Sequence, residues 1–177
     1  MAKKTEKVFK MYLSAMDMEE KGEGFYEKTA KSSKTELGKK LFKMLAEDEL
    51  VHMARIKTIY GSLKKGEEWS LKWKKLKIKH PDIKGVFKKL AAKNKDKLRP
   101  KSTDLDAIDV GLELEQRSID FYRDNLAKSK DELEKQFLDQ MVVEEKTHHF
   151  LLADMKFYLT NPAGWYTEHE KHSMDGG

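Results

Sequence analysis

The sequence predicts an all-α protein, a four-helix bundle made of two repeated antiparallel hairpins joined by a long crossover. The chain is 38% charged and 38% hydrophobic with only three prolines, which suits amphipathic helices better than sheets. Apolar residues recur at spacings of three and four over four long stretches. The second half repeats residues of the first at an offset of 96 positions, so we expect the hairpin itself to be duplicated.

The chain length and the repeat predict the domain organisation. A chain of 177 residues can bury a core as one domain, 1–177. We divide it into a first hairpin, a basic crossover, a second hairpin and a C-terminal tail: 5–61, 62–103, 104–160 and 161–177. The lack of cysteine excludes disulfides, thiolate metal sites and cysteine nucleophiles. No stretch is apolar enough for a signal peptide or a membrane span, so a cytoplasmic location is expected.

The first hairpin has charged residues inside its apolar rows. Its first helix is predicted over 5–31, with Glu19 in a row of apolar side chains. On the second helix, Glu49 and His52 are three residues apart and point to the same side as the neighbouring leucines. Burial of a carboxylate and an imidazole is costly unless something compensates the charge.

The second hairpin keeps the polar residues of the first. The offset relates Glu19 to Glu115, Tyr26 to Tyr122, Glu49 to Glu145, and His52 to His148. Its helices are predicted over 104–128 and 130–159. Ser33 and Ser129, each followed by glutamate three residues later, are predicted to cap the second helix of each hairpin. One Glu-x-x-His is a weak signal, but its repetition favours a metal site over a structural histidine.

The crossover is strongly basic. Residues 71–101 hold twelve lysines and one arginine against two aspartates, a net charge of +11, whereas the whole chain is +5. We expect residues 71–79 to be extended, and a short amphipathic helix to run from Ile83 to before Arg99. Lysine runs are usually solvated faces, and the scarcity of arginine and aromatic residues disfavours nucleic-acid binding. The tail after Asn161 is expected to be flexible and solvent-exposed.

Four helices thus present four glutamates and two histidines at matched depths. Four buried carboxylates would repel one another strongly without cations. Two divalent ions would neutralise them and leave the imidazoles as end ligands. Oxygen and nitrogen donors without sulfur suit iron, manganese or zinc. The predicted metal ligands are Glu19, Glu49, His52, Glu115, Glu145 and His148.

These motifs resemble those of the rubrerythrins, a family within the ferritin-like di-iron carboxylate proteins. The resemblance rests on the paired Glu-x-x-His motifs, on Glu19 and Glu115, and on the Phe-Tyr pairs that end at Tyr26 and Tyr122. It implies a ferritin-like four-helix bundle, a non-haem site with two iron ions, and reaction with hydrogen peroxide or dioxygen. Rubrerythrins also tend to use a further, movable glutamate, for which Glu23 is the candidate as a ligand or as a carboxylate lining the site.

Full-length rubrerythrins add a rubredoxin-like domain whose cysteines hold an iron that relays electrons, and this chain has no cysteine. The resemblance therefore implies an external electron donor, such as a rubredoxin-like protein. The expected function is an oxidoreductase, a rubrerythrin-like peroxidase that reduces hydrogen peroxide or activates dioxygen. The alternative is a non-enzymatic iron-binding or storage protein of ferritin type. A homo-oligomer, in the simplest case a dimer, is expected, with no membrane partner.

Four further residues are expected to support the ligands. Asp48 and Glu144 lie one helical turn before the two histidines and are predicted to accept hydrogen bonds from them, across the pseudo-twofold axis of the repeat. Tyr26 and Tyr122 lie two turns after the first glutamate of each hairpin. They either fill the core or donate their hydroxyls to a glutamate of the opposite hairpin.

Overall fold

Six α-helices and one short 3₁₀ helix form the part of the chain that the structure, a computed structural model, describes. The backbone is described for residues 2–67, 71–93 and 102–174, and the side chains for 6–67, 71–93 and 104–169. The helices are α1 (Ala2–Ser32), α2 (Glu36–Lys64), the 3₁₀ helix (Leu71–Lys75), α3 (Ile83–Lys93), α4 (Ser102–Lys128), α5 (Glu132–Thr160) and α6 (Pro162–Met174).

The long helices pack as two hairpins that face each other. Helix α1 packs along α2, α4 packs along α5, and α1 also contacts α4. The crossover covers the side formed by α2 and α5, because the 3₁₀ helix packs on α2 and α3 packs on both. The predicted all-α, ferritin-like helical bundle is therefore confirmed. Within the described residues, no helix combines the length and the apolar character that crossing a membrane would require.

A polar layer divides the apolar core into two clusters. One cluster joins the first half of α2 to the second half of α5 and includes Leu45 and Leu152. The other joins the second half of α2 to the first half of α5 and includes Ile59. Both helices therefore cross the polar layer midway along their length, at residues 48–52 and 144–148.

The caps of α2 and α5 are not the predicted Ser33 and Ser129. Thr35 caps α2 by accepting a hydrogen bond at 3.0 Å from a backbone N–H of the first turn. Asp131 caps α5 by accepting two backbone N–H groups, at 2.9 and 3.1 Å. The prediction was wrong because both serine hydroxyls bind elsewhere. Ser33 donates to Asp104 of α4, 3.3 Å away, and so ties the first hairpin to the second, and Ser129 donates to the side chain of Glu134.

Residues 71–75 form a 3₁₀ helix rather than the predicted extended segment. The turn allows Trp73 to enter the core, where its indole is 3% exposed and lies edge-on to Phe137 with 5.4 Å between ring centroids. Helix α3 begins at Ile83, as predicted. Its predicted end before Arg99 lies outside the described residues.

The tail does not form the expected flexible end over its described length. Helix α5 ends at Thr160, and after one residue α6 begins at Pro162. Trp165 of α6 is 3% exposed, and its ring centroid lies 5.1 Å from that of Tyr158. Its Nε1 donates a hydrogen bond to Asp154 at 2.8 Å. Burial of an indole that also satisfies its polar atom is sufficient to dock the tail.

Replacement of Trp165 by alanine should lower the free energy of unfolding by about 3 kcal/mol or more, because it removes a buried indole from a packed cluster. Urea unfolding of the metal-free protein, followed by circular dichroism, measures the change. The exposed Thr167→Ala is the control in the same helix, with an expected effect within about 0.5 kcal/mol. Equal stability of the two variants would contradict the docking of α6.

Candidate metal centre

The six predicted ligands meet in the polar layer at the middle of the bundle. Each hairpin brings its two glutamates to one level, because Glu19 and Glu49 are 30 residues apart, as are Glu115 and Glu145. All six side chains are at most 3% exposed. The apolar clusters above and below separate them from water at the ends of the bundle.

The six side chains form two overlapping cradles. In each cradle the donor atoms lie within 4.8 Å of one another. The first cradle consists of Glu19, Glu49, His52 and Glu145. The second consists of Glu49, Glu115, Glu145 and His148. Glu49 and Glu145 belong to both donor sets, so the two cradles together could hold a pair of divalent cations.

The two imidazoles point Nδ1 at the cradles. Nδ1 of His52 lies 3.2 Å from Glu19 Oε2 and 3.0 Å from Glu145 Oε1. Nδ1 of His148 lies 3.3 Å from Glu49 Oε1. The two rings are stacked with 5.6 Å between their centroids. Nδ1 is therefore the ring nitrogen that each cradle offers to a cation.

Each Nε2 faces a carboxylate from the opposite hairpin. Nε2 of His52 lies 2.9 Å from Glu144 Oε2, and Nε2 of His148 lies 3.5 Å from Asp48 Oδ2. These are the partners that the sequence predicts, and they cross between the repeats. A carboxylate beside Nε2 keeps a proton on that nitrogen and leaves the lone pair of Nδ1 for a metal.

Sequence reasoning missed Arg55, which is 2% exposed. Its guanidinium donates to both carboxylate oxygens of Glu144, at 2.5 and 3.3 Å. Burial opposes ionisation of Glu144, but hydrogen bonds from His52 and Arg55 lower its pKa to about 2. A helical spacing could have identified Arg55, since it follows His52 by three residues on the same helix face. The repeat gave no support, because the matching residue is Leu151.

The support of His148 differs from that of His52. Asp48 faces backbone rather than a guanidinium: its Oδ1 accepts the N–H groups of Lys79 and His80, at 3.0 and 3.2 Å. Arg55 in turn donates its Nε–H to the carbonyl of Leu76, at 2.8 Å. The crossover therefore contacts the supporting residues of both histidines.

The two tyrosines fill the core and also donate their hydroxyls to glutamates of the opposite hairpin, which are the two roles predicted for them. The hydroxyl of Tyr26 donates to Glu115 Oε1, and that of Tyr122 donates to Glu19 Oε1. Both rings are fully buried. Burial, together with the neighbouring glutamates, raises the pKa of each phenol well above its ordinary value, so each stays protonated and donates.

Glu23 lies outside both cradles. It is partly exposed and lines a groove between α1 and α2 with Glu47 and Leu50. The centre is reached instead through a cleft of about 210 Å³ between α1 and α4, whose lining includes Glu19, Glu115 and other site residues. Glu23 therefore belongs to neither donor set among the described residues.

In the absence of cations the cradles hold protons. Burial, reinforced by Glu19 and Glu145 respectively, raises the pKa of Glu49 and of Glu115. Burial alone would lower the pKa of the two histidines, but the surrounding carboxylates raise it well above the ordinary value. Oε2 of Glu115 is buried without a hydrogen-bond partner among the described residues. Such a donor set fits divalent cations, which would take the place of the protons.

These raised pKa values predict that the metal-free protein loses stability as the pH rises. Between the ordinary histidine value of 6.5 and its raised value in the folded state, the folded protein binds more protons than the unfolded chain. The free energy of unfolding should therefore fall from about pH 6.5 upward, as urea titrations of the metal-free protein would measure.

The metal-loaded protein is the control, and its stability should rise over the same range because cations compete with fewer protons. Glu144 titrates far below this range and does not contribute. Stability of the metal-free protein that rises with pH would show that the cradles are not protonated.

The chain matches a known protein family. A family model described as Rubrerythrin matches residues 11–156, which include all of α2 and α4, most of α1 and α5, and the six cradle residues. No curated protein and no solved structure matches the chain. The buried carboxylate and histidine cluster fits a di-iron protein. The chain belongs to the rubrerythrin family.

Proposed function

We propose that this chain is a non-haem di-iron oxidoreductase that reduces hydrogen peroxide, or activates dioxygen, with electrons from an external donor. The observation that carries the proposal is the pair of cradles sharing Glu49 and Glu145. Reduction of one hydrogen peroxide to two waters consumes two electrons and two protons. A pair of adjacent redox-active ions supplies two electrons, one from each.

The donor set supports the assignment of metal positions. Glu19 and His52 would hold one ion, and Glu115 and His148 the other, with the shared carboxylates between them. Iron suits carboxylate and imidazole donors, as do manganese and zinc, but zinc has no redox chemistry. We also propose that the protein is cytoplasmic and forms a homodimer.

The cleft between α1 and α4 supports access by a small oxidant. Gly22 and Ser118, related by the repeat, both line it beside Glu19 and Glu115. A β-carbon at Gly22 would lie 3.8 Å from the carboxylate carbon of Glu49, so a larger side chain would fill the approach. Small residues at both positions keep room for a molecule the size of hydrogen peroxide.

The reduced, iron-loaded protein should be oxidised by hydrogen peroxide at least about tenfold faster than by dioxygen, in a single turnover. The two cradles share Glu49 and Glu145 and open to one cleft, so both electrons would be available at the same place. This arrangement suits a two-electron oxidant such as hydrogen peroxide. Anaerobic stopped-flow absorbance with either oxidant gives the two rates. Without a donor, the protein should react once and stop.

Glu145→Ala, which removes a shared carboxylate, should abolish the fast phase. Comparable rates with both oxidants, or iron uptake that continues beyond about two ions per chain, would favour the alternative of a ferritin-type storage protein.

Tyr26→Phe and Tyr122→Phe should each change the rate of oxidation by peroxide by about tenfold, because a buried carboxylate loses its hydrogen-bond donor. Tyr158→Phe is the matched control: Tyr158 is equally buried, but its hydroxyl donates to the carbonyl of Ala91, away from the centre. Stopped-flow rates and urea stability are compared in all three variants. Equal rates in the wild type and in both site variants would leave the tyrosines with a packing role only.

A further inference from the structure

The described part of the crossover has a strong positive charge that the centre does not use. Residues 71–93 contain nine lysines, one aspartate and no arginine or glutamate, a net charge of +8. All nine lysines are exposed. We call this surface, together with the adjacent outer stripe of α5, the basic face.

The outer stripe of α5 adds apolar area to the basic face. Val143 and Phe150 lie two helical turns apart on it, and each is about half exposed. Lysines of the crossover reach both ends of the stripe. Lys74 donates to Gln136 at 2.6 Å, and Nζ of Lys84 lies 4.1 Å from the ring centroid of Phe150. Apolar side chains bordered by charge are typical of surfaces that bind proteins.

The segment 76–80 connects the basic face to the residues that support the two histidines, Arg55 and Asp48, through hydrogen bonds. The Leu76 carbonyl accepts from Arg55, which donates to Glu144, and Glu144 contacts Nε2 of His52. These contacts are 2.8, 2.5 and 2.9 Å long. On the other branch, the amides of residues 79 and 80 donate to Asp48, whose second oxygen lies 3.5 Å from Nε2 of His148. Two short paths therefore lead from the surface to the two imidazoles.

We propose that the basic face is the docking surface for an acidic, one-electron donor protein, whose electrons reach the centre along the contacts of residues 76–80. The inference rests on the proposed function and names its partner. Each reduction of hydrogen peroxide to two waters requires two such transfers and two protons, so two donor molecules are each oxidised once. Positive charge on this face attracts a negatively charged protein and raises the rate of encounter.

The chemistry of the face favours a protein over a nucleic acid. Its cations are lysines, and arginine, the usual base- and phosphate-binding residue, is absent from residues 71–93. Among the described residues of the face, Phe150 is the one exposed aromatic side chain, which is too few to form a base-stacking platform.

Charge reversal tests the proposal on the full, iron-loaded chain. Lys75 lies next to the connecting segment, Lys77 and Lys79 lie within it, and all three side chains are exposed, so the test variant is K75E/K77E/K79E. The matched control, K10E/K28E/K128E, makes the same charge change on exposed lysines of α1 and α4. The donor is a reduced acidic rubredoxin, and reduced riboflavin is the small-molecule reference. Re-reduction of the oxidised centre is followed by stopped-flow, and binding of oxidised rubredoxin by calorimetry.

The ratio of the rubredoxin-driven to the riboflavin-driven rate should fall by about tenfold or more in the test variant and by less than about twofold in the control. The difference should shrink as salt is raised above about 0.1 M, where the screening length is near 10 Å. Rubredoxin binding, which needs no turnover, should weaken in the test variant alone.

Equal effects in both variants, or none, would overturn the docking surface. So would tighter binding of a 20-base-pair DNA duplex than of rubredoxin, lost in the same variant. The proposed function has a separate outcome: if it is wrong, even riboflavin supports no peroxide turnover, while the binding measurement still decides the docking surface.

Discussion

The burial of four glutamates in the middle of an apolar bundle is the constraint on which the rest of the structure depends. Such carboxylates repel one another unless protons or cations neutralise them. The metal-free fold uses protons, as the raised pKa values of Glu49 and Glu115 indicate. The core is divided into two clusters to accommodate this layer, and each cluster contributes one tyrosine whose hydroxyl satisfies a glutamate from the opposite hairpin.

The repeat preserves the ligands but not their surroundings. His52 is supported by Glu144, whose charge Arg55 balances within the core. His148 is supported by Asp48, which accepts two backbone amides and contacts no guanidinium in the described residues. The two cradles therefore differ electrostatically, although their donor residues are alike. Arg55 of α2 and the backbone groups of the crossover together produce that difference and break the symmetry of the bundle.

Membership of the rubrerythrin family and the geometry of the cradles limit the chemistry that this chain can perform. Shared carboxylates suit two ions, and a cleft between α1 and α4 suits a small oxidant. These 177 residues include no cysteine that could hold an electron-relaying iron, so the proposal assigns the supply of electrons to a partner. In the proposal, the oxidant enters through the cleft between α1 and α4. Electrons enter from the opposite side, which the crossover covers.

The sequence by itself determined the long helices, the repeat and the six residues that meet at the centre, because helical spacing and a constant offset set depth along a bundle. It also paired each histidine with a carboxylate of the other hairpin. Only the tertiary structure decided which atoms face each other. Arg55 pairs with Glu144 because the crossover carbonyl of Leu76 holds it, and Trp165 docks the tail because α3 and α5 leave a cluster for its indole. Such contacts join segments that are distant in sequence, and no periodic pattern predicts them. The six residues of the centre, by contrast, recur at a constant offset and can be predicted from the sequence.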